Sequence, residues 1–519
     1  DTIAWNALIG GYAQQGRGHE ALNCFDRMQS EGLSPNVVTF ICILKACGST
    51  ESLDRGKKIH DEIVHRKLLE KGNVLGNALV DMYAKCGLLT KARHVLEELP
   101  SRDVISWNAL IAGFSHYSQG HEALKCFESM QNEGLSPNEI TFTCVLKACG
   151  STGSIEKGKQ IHEEIANRGL LWKDIVLGSA LVDMYVKCGD LGKAQRVLEE
   201  LPVRNVVSWS TLIAGYAQHR QGRRALDSFA RMQSEGFTPN IVTFICVLNA
   251  CGSTRDIEKG KQIHEEVASR GLLAEDVVLG NALVDMYGKC GALGKACQVL
   301  EALPIRDVVS WSTLISGYGQ HGRGEEALKC FEWMQCEGLL PNAVTLLSVL
   351  VACSHAGLLE EAQTLFVSMS RRYGVIPNLE HHTCMVAGFG YAGHFDKAIL
   401  VIKVMPSREC ECGLVWLALL GACRKWRNLE LGRSCFDQVI QLDNSCATAY
   451  VLMTDIFAAA GMQKDAHNVE TMRLKYASSR KEDWDCSSSI DDIYAKVQVI
   501  SSEMSDEGFL PLVGNLFSE

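Results

Sequence analysis

The strongest constraint on the fold is an internal repeat with a fixed period. The segment VLGNALVDMYAKCG at residues 74–87 returns nearly unchanged at residues 176–189 and 278–291, each copy 102 residues after the last. A second series at the same spacing consists of Trp5, Trp107, Trp209 and Trp311. A period of this length indicates small structural units that stack on their neighbours, because one such unit cannot bury its apolar face alone.

Each period divides into three variants of one unit. In the third copy they span residues 206–240, 241–276 and 277–307, with 35, 36 and 31 residues. Within the first variant, Trp209, Leu212, Ile213 and Tyr216 recur at the spacing of one helical face. A turn at Gly222 and a stop at Gly236 and Pro239 enclose a second helix. The sequence therefore predicts an all-α solenoid of helical hairpins.

The distribution of charge and of cysteine along the chain indicates which partners and which compartment the protein can have. The formal charge of −10 is concentrated in residues 482–519, which hold nine acids and one lysine, so residues 1–481 are nearly neutral. A nucleic-acid partner then requires locally placed basic residues and base contacts in place of a dense basic surface. The 22 cysteines recur inside apolar helical patterns, as at Cys47, Cys149 and Cys251, and we interpret them as reduced core residues. No stretch approaches 18 consecutive apolar residues, so neither a membrane span nor a signal peptide is visible in this sequence.

Several segments carry a resemblance to a known family. SWNALIAGF, GHEALKCFESMQNEGLSPN, TFTCVLKACGS and NALVDMYAKCG resemble the pentatricopeptide repeats of plants, and the alternation of 35, 36 and 31 residues is similar to their P, L and S motifs. The resemblance implies a right-handed α-solenoid over residues 1–410. Residues 411–480 resemble the paired E1 and E2 motifs, and residues 481–519 form an acidic tail similar to a degenerate E+ segment. No segment resembles the DYW deaminase domain.

The resemblance implies sequence-specific binding of single-stranded RNA in a mitochondrion or chloroplast. It favours a site-recognition factor for C-to-U RNA editing, with a deaminase-bearing protein supplied in trans through the E motifs. We expect a monomer with no cofactor and no catalytic residues. The KEDWDCSSSI segment departs from the family's E+ core, so coupling to an editing enzyme is less securely implied than RNA binding.

In this family each repeat reads one base through its fifth residue and its last residue. Carried onto this chain, the base-reading pairs are Asn6/Asn36, Asn77/Asp103, Asn108/Asn138, Ser179/Asn205, Ser210/Asn240, Asn281/Asp307 and Ser312/Asn342, followed by Thr383. Short polar side chains suit this role, because they offer donors and acceptors to a Watson–Crick edge. For Thr383 the last residue is Cys410 or Cys412, since the link before Trp416 is longer than usual.

The family's correspondence predicts a target sequence. Asn with Asn favours a pyrimidine, Asn with Asp favours U, and Ser with Asn favours A. The L-type motifs place Ile41, Thr143, Ile245 and Leu347 at the fifth position, and an aliphatic side chain there cannot hydrogen-bond a base. The predicted RNA, from 5′ to 3′, is Y-n-U-Y-n-A-A-n-U-A-n. Residue two of the reading repeats has two interpretations, a base sandwich or helix-start packing, as at Ile105, Val207, Val278 and Val309.

Motifs of catalysis and metal binding are incomplete. The His-x-Glu pattern of a zinc deaminase recurs at His60, His162 and His264, but the chain contains no Pro-Cys-x-x-Cys. We interpret these histidines as packing residues. Cys410 and Cys412 form half of a metal site without a second pair at the expected spacing. The tryptophan series is interpreted as core packing.

Two alternatives remain open from the sequence. One is an organellar factor for RNA stability, splicing or translation, which uses the same binding chemistry. The other is a helical-repeat scaffold that grips peptides. The near-identical copies here differ at an Asn/Ser position paired with an Asn/Asp loop residue, a pattern that favours base reading over peptide binding.

Overall fold

The computed structural model describes residues 1–71, 73–172, 174–274, 276–406 and 413–477. The acidic tail at 481–519 and the candidate residues Cys410 and Cys412 lie outside these ranges. The chain divides into two compact units, Asp1–Pro239 and Asn240–Glu519.

Over the described residues the chain forms 28 α-helices and no β-strand. In the first unit they are α1 (Thr2–Gln14), α2 (Gly18–Ser30), α3 (Val37–Ser49), α4 (Leu53–His65), α5 (Asn73–Lys85), α6 (Leu89–Glu98), α7 (Val104–His116), α8 (Gly120–Asn132), α9 (Glu139–Thr152), α10 (Ile155–Asn167), α11 (Ile175–Lys187), α12 (Leu191–Glu200), α13 (Val206–Gln218) and α14 (Gly222–Ser234). In the second unit they are α15 (Ile241–Thr254), α16 (Ile257–Ser269), α17 (Val277–Lys289), α18 (Leu293–Ala302), α19 (Val308–Gln320), α20 (Gly324–Cys336), α21 (Ala343–Ala356), α22 (Leu359–Tyr373), α23 (Leu379–Tyr391), α24 (Phe395–Val404), α25 (Gly413–Trp426), α26 (Leu429–Leu442), α27 (Ala447–Ala459) and α28 (Gln463–Ala477).

The three sequence variants fold as three hairpins of different length. The 35-residue variant pairs two 13-residue helices, as in α13 and α14. The 31-residue variant shortens its second helix to 10 residues, as in α12. The predicted stop is confirmed at Gly236, which adopts φ 84° in the left-handed region just after α14. The predicted all-α hairpin architecture is therefore confirmed.

First helices form the centre of each unit. In the first unit, α11 packs against the first helices on either side of it, α9 and α13, and against its own partner α12. Leu181, Met184 and Tyr185 of α11 are at most 1% exposed. Burial of each such side chain contributes about 1.5–3 kcal/mol, so stacking supplies the apolar contacts that one hairpin lacks.

The predicted packing roles of the recurring residues are confirmed, with one exception. Cys47, Cys149 and Cys251 are buried and free, and burial raises their thiol pKa values to about 12. Three of the four tryptophans, Trp107, Trp209 and Trp311, are at most 7% exposed. Trp5 is the exception, since it is only half-buried.

Two further helical hairpins follow the predicted repeat array of residues 1–410. Helices α25 and α26 pack together, and α27 packs against α28. These two hairpins occupy the residues assigned to the E1 and E2 motifs, and that motif assignment stays a prediction. None of the described helices is both long enough and apolar enough to span a bilayer.

Candidate nucleic-acid interface

The last residue of each reading repeat has a structural role that sequence reasoning missed. All seven cap the first helix of the following hairpin, with a side-chain oxygen accepting a hydrogen bond from the backbone N–H three residues later: Asn36, Asp103, Asn138, Asn205, Asn240, Asp307 and Asn342. In each case a Thr or Ser three residues later completes a capping box. Asn and Asp are among the best N-caps, because their short side chains satisfy helix N–H groups that have no partner within the helix.

The fifth residues lie in the first turn and a half of the first helices and are largely inside the protein. Seven of the eight fifth residues are at most 9% exposed: Asn77, Asn108, Ser179, Ser210, Asn281, Ser312 and Thr383. The eighth, Asn6, is half-buried. Polar groups at this depth require hydrogen-bond partners.

The structure brings the predicted pairs together in five repeats. Hydrogen bonds join Asn6 Nδ2 to Asn36 Oδ1 (3.1 Å), Asn77 Nδ2 to both carboxylate oxygens of Asp103 (3.1 Å each), Asn108 Nδ2 to Asn138 Oδ1 (3.0 Å), Ser179 Oγ to Asn205 Oδ1 (3.3 Å) and Asn281 Nδ2 to Asp307 Oδ1 (3.5 Å). The pairing that was inferred from sequence is thus a contact between side chains separated by 26 or 30 residues.

The remaining predicted positions differ. Ser312 Oγ lies 2.7 Å from Thr345 Oγ1, which in turn donates to Asn342 Oδ1 at 2.9 Å, so this pair is linked through the capping-box threonine. Ser210 and Asn240 belong to different units, where Ser210 is fully buried in α13 and Asn240 caps α15.

Thr383 donates to the carbonyl of Leu379 at 2.8 Å. Both candidate partners of Thr383 lie outside the described residues.

A capping-box threonine is a third member of the site in the 35-residue repeats. Thr39 Oγ1 donates to Asn6 Oδ1 at 2.6 Å, and Thr141 Oγ1 donates to Asn108 Oδ1 at 2.7 Å. The sequence pattern Asn-x-x-Thr carried this signal, because it is a capping-box pattern.

In the 31-residue repeats the equivalent bond is missing. The side-chain amide oxygens (Oδ1) of Asn77 and Asn281 are buried with no hydrogen-bond partner among the described residues. A buried acceptor without a partner is costly, by about 1–3 kcal/mol, so these repeats hold their fifth residue less securely.

In Asn138 and Asp307, one polar atom of the capping side chain stays outside the cap. In Asn138, Oδ1 accepts from Thr141 and Asn108, and the amide Nδ2 donates to no described residue. In Asp307, Oδ1 accepts from Ser310 and Asn281, and Oδ2 accepts from no described residue. The interface therefore presents a donor where the last residue is Asn and an acceptor where it is Asp.

Asp103, the acidic member of its pair, is charged at neutral pH. Burial by itself would raise the pKa of Asp103, but hydrogen bonds from the Ser106 backbone and from the Asn77 side chain outweigh it and hold that pKa below its usual value. Asp103 therefore acts as a hydrogen-bond acceptor only.

Aliphatic side chains at residue two of these repeats are open to solvent. Exposed fractions are 79% for Ile3, 64% for Val74, 65% for Ile105, 62% for Val176 and 38% for Val207, whereas Val278 and Val309 are half-buried. Helix-start packing does not account for side chains this exposed. Their predicted contact with bases stays a prediction.

The incomplete catalytic motifs are accounted for by packing. The ring Nδ1 atoms of His60, His162 and His264 lie 2.8, 3.0 and 3.0 Å from the hydroxyls of Tyr83, Tyr185 and Tyr287. Burial lowers the pKa of each histidine. Within the described ranges, no group of three or more His, Cys, Asp or Glu residues could hold a metal ion.

Comparison with known families agrees with this geometry. The PPR repeat family matches residues 1–49, 102–151, 204–253 and 306–355, and the PPR repeat matches residues 77–104, 140–170, 179–206, 344–373 and 380–410. These matches cover more than half of the chain. The chain belongs to the pentatricopeptide repeat family.

Similar pentatricopeptide repeat-containing proteins occur in Arabidopsis thaliana. A chloroplastic protein is 35% identical over 93% of this chain and 55% of its own length. A second is 34% identical over 93% of this chain and 69% of its own length, and a mitochondrial protein is 36% identical over 88% of this chain and 52% of its own length. The chain thus spans about half to two thirds of the length of these curated relatives.

Solved structures show the same fold. The pentatricopeptide repeat protein PPR10 from maize matches with a TM-score of 0.50 at 19% identity, over 92% of this chain and 80% of PPR10. PPR10 in complex with an 18-nt psaJ RNA element matches with a TM-score of 0.51 at 16% identity, over 92% of this chain and 85% of that chain. The likeness confirms the predicted α-solenoid fold, whereas its right-handedness stays a prediction.

Proposed function

We propose that this pentatricopeptide repeat protein binds single-stranded RNA in a sequence-specific manner in a mitochondrion or chloroplast. The observation that carries the proposal is the contact between the fifth and last side chains in five repeats, which brings the two predicted base-reading residues together. The chloroplastic and mitochondrial relatives support the organelle, and the RNA complex of PPR10 supports the ligand class.

The free atom of the last residue gives a physical basis for base choice. An Asn amide such as Asn138 Nδ2 can donate to the N3 acceptor of cytosine, whereas a carboxylate such as Asp307 Oδ2 can accept from the N3–H of uracil. A Ser in place of Asn at the fifth position leaves more room, as a larger purine requires. These roles favour C opposite Asn with Asn, U opposite Asn with Asp, and A opposite Ser with Asn.

We further propose that the protein selects a cytidine for C-to-U editing, with the deaminase supplied in trans through the hairpins at residues 413–477. An organellar factor for RNA stability, splicing or translation is the second candidate, since it would use the same reading residues. Loss of the protein in a plant should abolish editing at one C downstream of the predicted sequence. Unchanged editing with altered transcript ends or splicing would favour the second candidate.

RNA reading is tested first by titrating the protein with the predicted RNA and with a variant in which the base facing Ser179 is U instead of A. We expect a penalty of about 1–3 kcal/mol for the mismatch. The substitution Ser179→Asn should reverse this preference, because Asn77 and Asn281 fit the equivalent position in the sister repeats.

The matched control is Ser234→Asn, which makes the same chemical change on the exposed second helix α14, where Asn132 is the equivalent residue. It should leave base preference unchanged. Equal binding of both RNAs by the wild-type protein would contradict sequence-specific reading at this repeat.

A further inference from the structure

One turn of the third copy carries a cluster of arginines that the other copies lack. Arg220 lies in the turn between α13 and α14, Arg223 and Arg224 lie in the first turn of α14, and all three are exposed. In the three sister turns the position of Arg224 is an acid, Glu20, Glu122 or Glu326. The third copy therefore carries a cation at a position where its sisters carry an acid.

The sister turns neutralise their cations and this turn does not. Arg17 pairs with Glu20 at 2.8 Å, and Arg323 pairs with Glu326, while Glu122 of the remaining sister turn pairs with Arg93 of α6 at 2.7 Å. None of Arg220, Arg223 and Arg224 forms an ion pair with any described residue.

The nearby carboxylates of Glu199 and Asp227 do not neutralise the three arginines either. Glu199 is engaged by Arg231 at 2.7 Å, and Asp227, one turn along α14, pairs with none of the three arginines. Among the described residues, the side-chain hydrogen bond of the cluster joins Arg224 Nη1 to Gln221 Oε1 at 3.0 Å.

The cluster is unfavourable for the isolated fold. Arg223 and Arg224 lie in the first turn of α14, where the positive end of the helix dipole repels a cation. Arg220 adopts φ 56° in the left-handed region, at a position that is Gly16 or Gly322 in two sister turns. An anion that binds this surface would relieve the repulsion, because guanidinium groups pair strongly with phosphate oxygens.

We propose that Arg220, Arg223 and Arg224 form an accessory phosphate-binding surface for the backbone of the RNA, an inference that rests on the proposed function. Ser210, a predicted reading residue, lies on α13, and Arg220 follows two residues after that helix ends at Gln218, so the surface begins about 12–15 Å along the helix axis from Ser210. The surface adds affinity without adding base specificity, since phosphates carry no sequence information.

The test compares two double variants of equal net charge over a series of salt concentrations. R223Q/R224Q removes two cations of the proposed surface, and R17Q/R323Q removes two cations that are ion-paired in sister turns, where Gln119 and Gln221 show that glutamine is accepted. For R223Q/R224Q we expect weaker binding at low salt and a slope of log affinity against log salt reduced by about 1.4, the value for two lost phosphate contacts on a single strand. R17Q/R323Q should behave as wild type.

Two further arms separate this proposal from base reading. R223Q/R224Q should retain the preference for A opposite Ser179, and it should also lose affinity for a uridine homopolymer, which tests the surface even if sequence reading fails. A second variant, R223H/R224E, reproduces the sister sequence His121-Glu122 and should show the same losses. Wild-type affinity and salt slope in both variants would overturn the proposal, as would a loss of binding to anionic lipid vesicles without any loss of RNA binding.

Discussion

At the residue scale, one side chain in each reading repeat has two tasks. Asn138 caps α9 through Oδ1 and presents its Nδ2 to the interface. Its partner Asn108 is held by both Asn138 and Thr141, so the orientation of the pair is set before any ligand arrives. Such preorganisation reduces the entropy that binding has to overcome.

The two tasks of Asn138 can be separated by substitution. Asn138→Ala should lower the free energy of unfolding by about 1 kcal/mol, because it removes the cap of α9. Asn138→Asp should leave stability nearly unchanged, since Asp103 and Asp307 cap equivalent helices, and should shift the preferred base at this repeat from C towards U. Denaturant midpoints and RNA titrations measure the two effects. A destabilised Asn138→Asp protein with unchanged base preference would contradict this division of roles.

How far the sequence predicted the site also depends on individual residues. The pairing of Asn108 with Asn138 followed from the family's register, and the structure places them 3.0 Å apart. The link from Ser312 through Thr345 to Asn342 did not follow, because Ser179 reaches its cap Asn205 directly whereas Ser312 contacts a third partner 33 residues away. Such details depend on side-chain lengths across two helices, which periodicity does not record.

At the scale of a helix, α23 has an unusual start. Its capping box uses His381, where the seven other capping boxes of the described helices use Thr or Ser, as in Thr345. His381 is fully buried, its Nε2 lies 3.0 Å from the Ala343 carbonyl, and Asn378 N donates to its Nδ1 at 3.3 Å. Burial lowers the pKa of His381 to about 4.

This helix start should make stability depend on pH. The pKa of His381 in the folded protein lies below its ordinary value of 6.5, so the unfolded chain binds the proton first as pH falls. The stabilisation is complete above about pH 6.5 and is lost as pH falls towards 4, by about 3 kcal/mol in total.

His381→Thr provides the control, because Thr is the capping-box residue at the start of α21, as in Thr345. Urea midpoints between pH 7 and pH 4.5 should fall less steeply for His381→Thr than for the wild-type protein. Parallel curves for the two proteins would show that another group dominates the acid sensitivity.

At the scale of the whole molecule, charge is distributed unevenly along the chain. Residues 482–519 contribute −8 of the formal charge of −10. Anionic residues tethered to an RNA-binding protein compete with the RNA backbone for its cations, and salt weakens this competition.

A protein that ends at residue 481 should therefore bind RNA more tightly at low salt than the full chain. The difference should shrink as salt increases towards about 1 M, where the Debye length is only about 3 Å. Filter binding or fluorescence anisotropy over a salt series measures it. A difference that persists at high salt would point to a contact other than charge repulsion.

The helix caps described at the interface also bear on how target choice can drift during evolution. Asn and Asp are both strong N-caps, so an exchange between them at positions such as Asn205 or Asp307 changes the base-facing atom and preserves the start of the next helix. A lineage can therefore pass from one RNA target to another through intermediates that all fold. Bases that would demand a poorly capping residue at this position are, for the same reason, costly for the repeat to acquire.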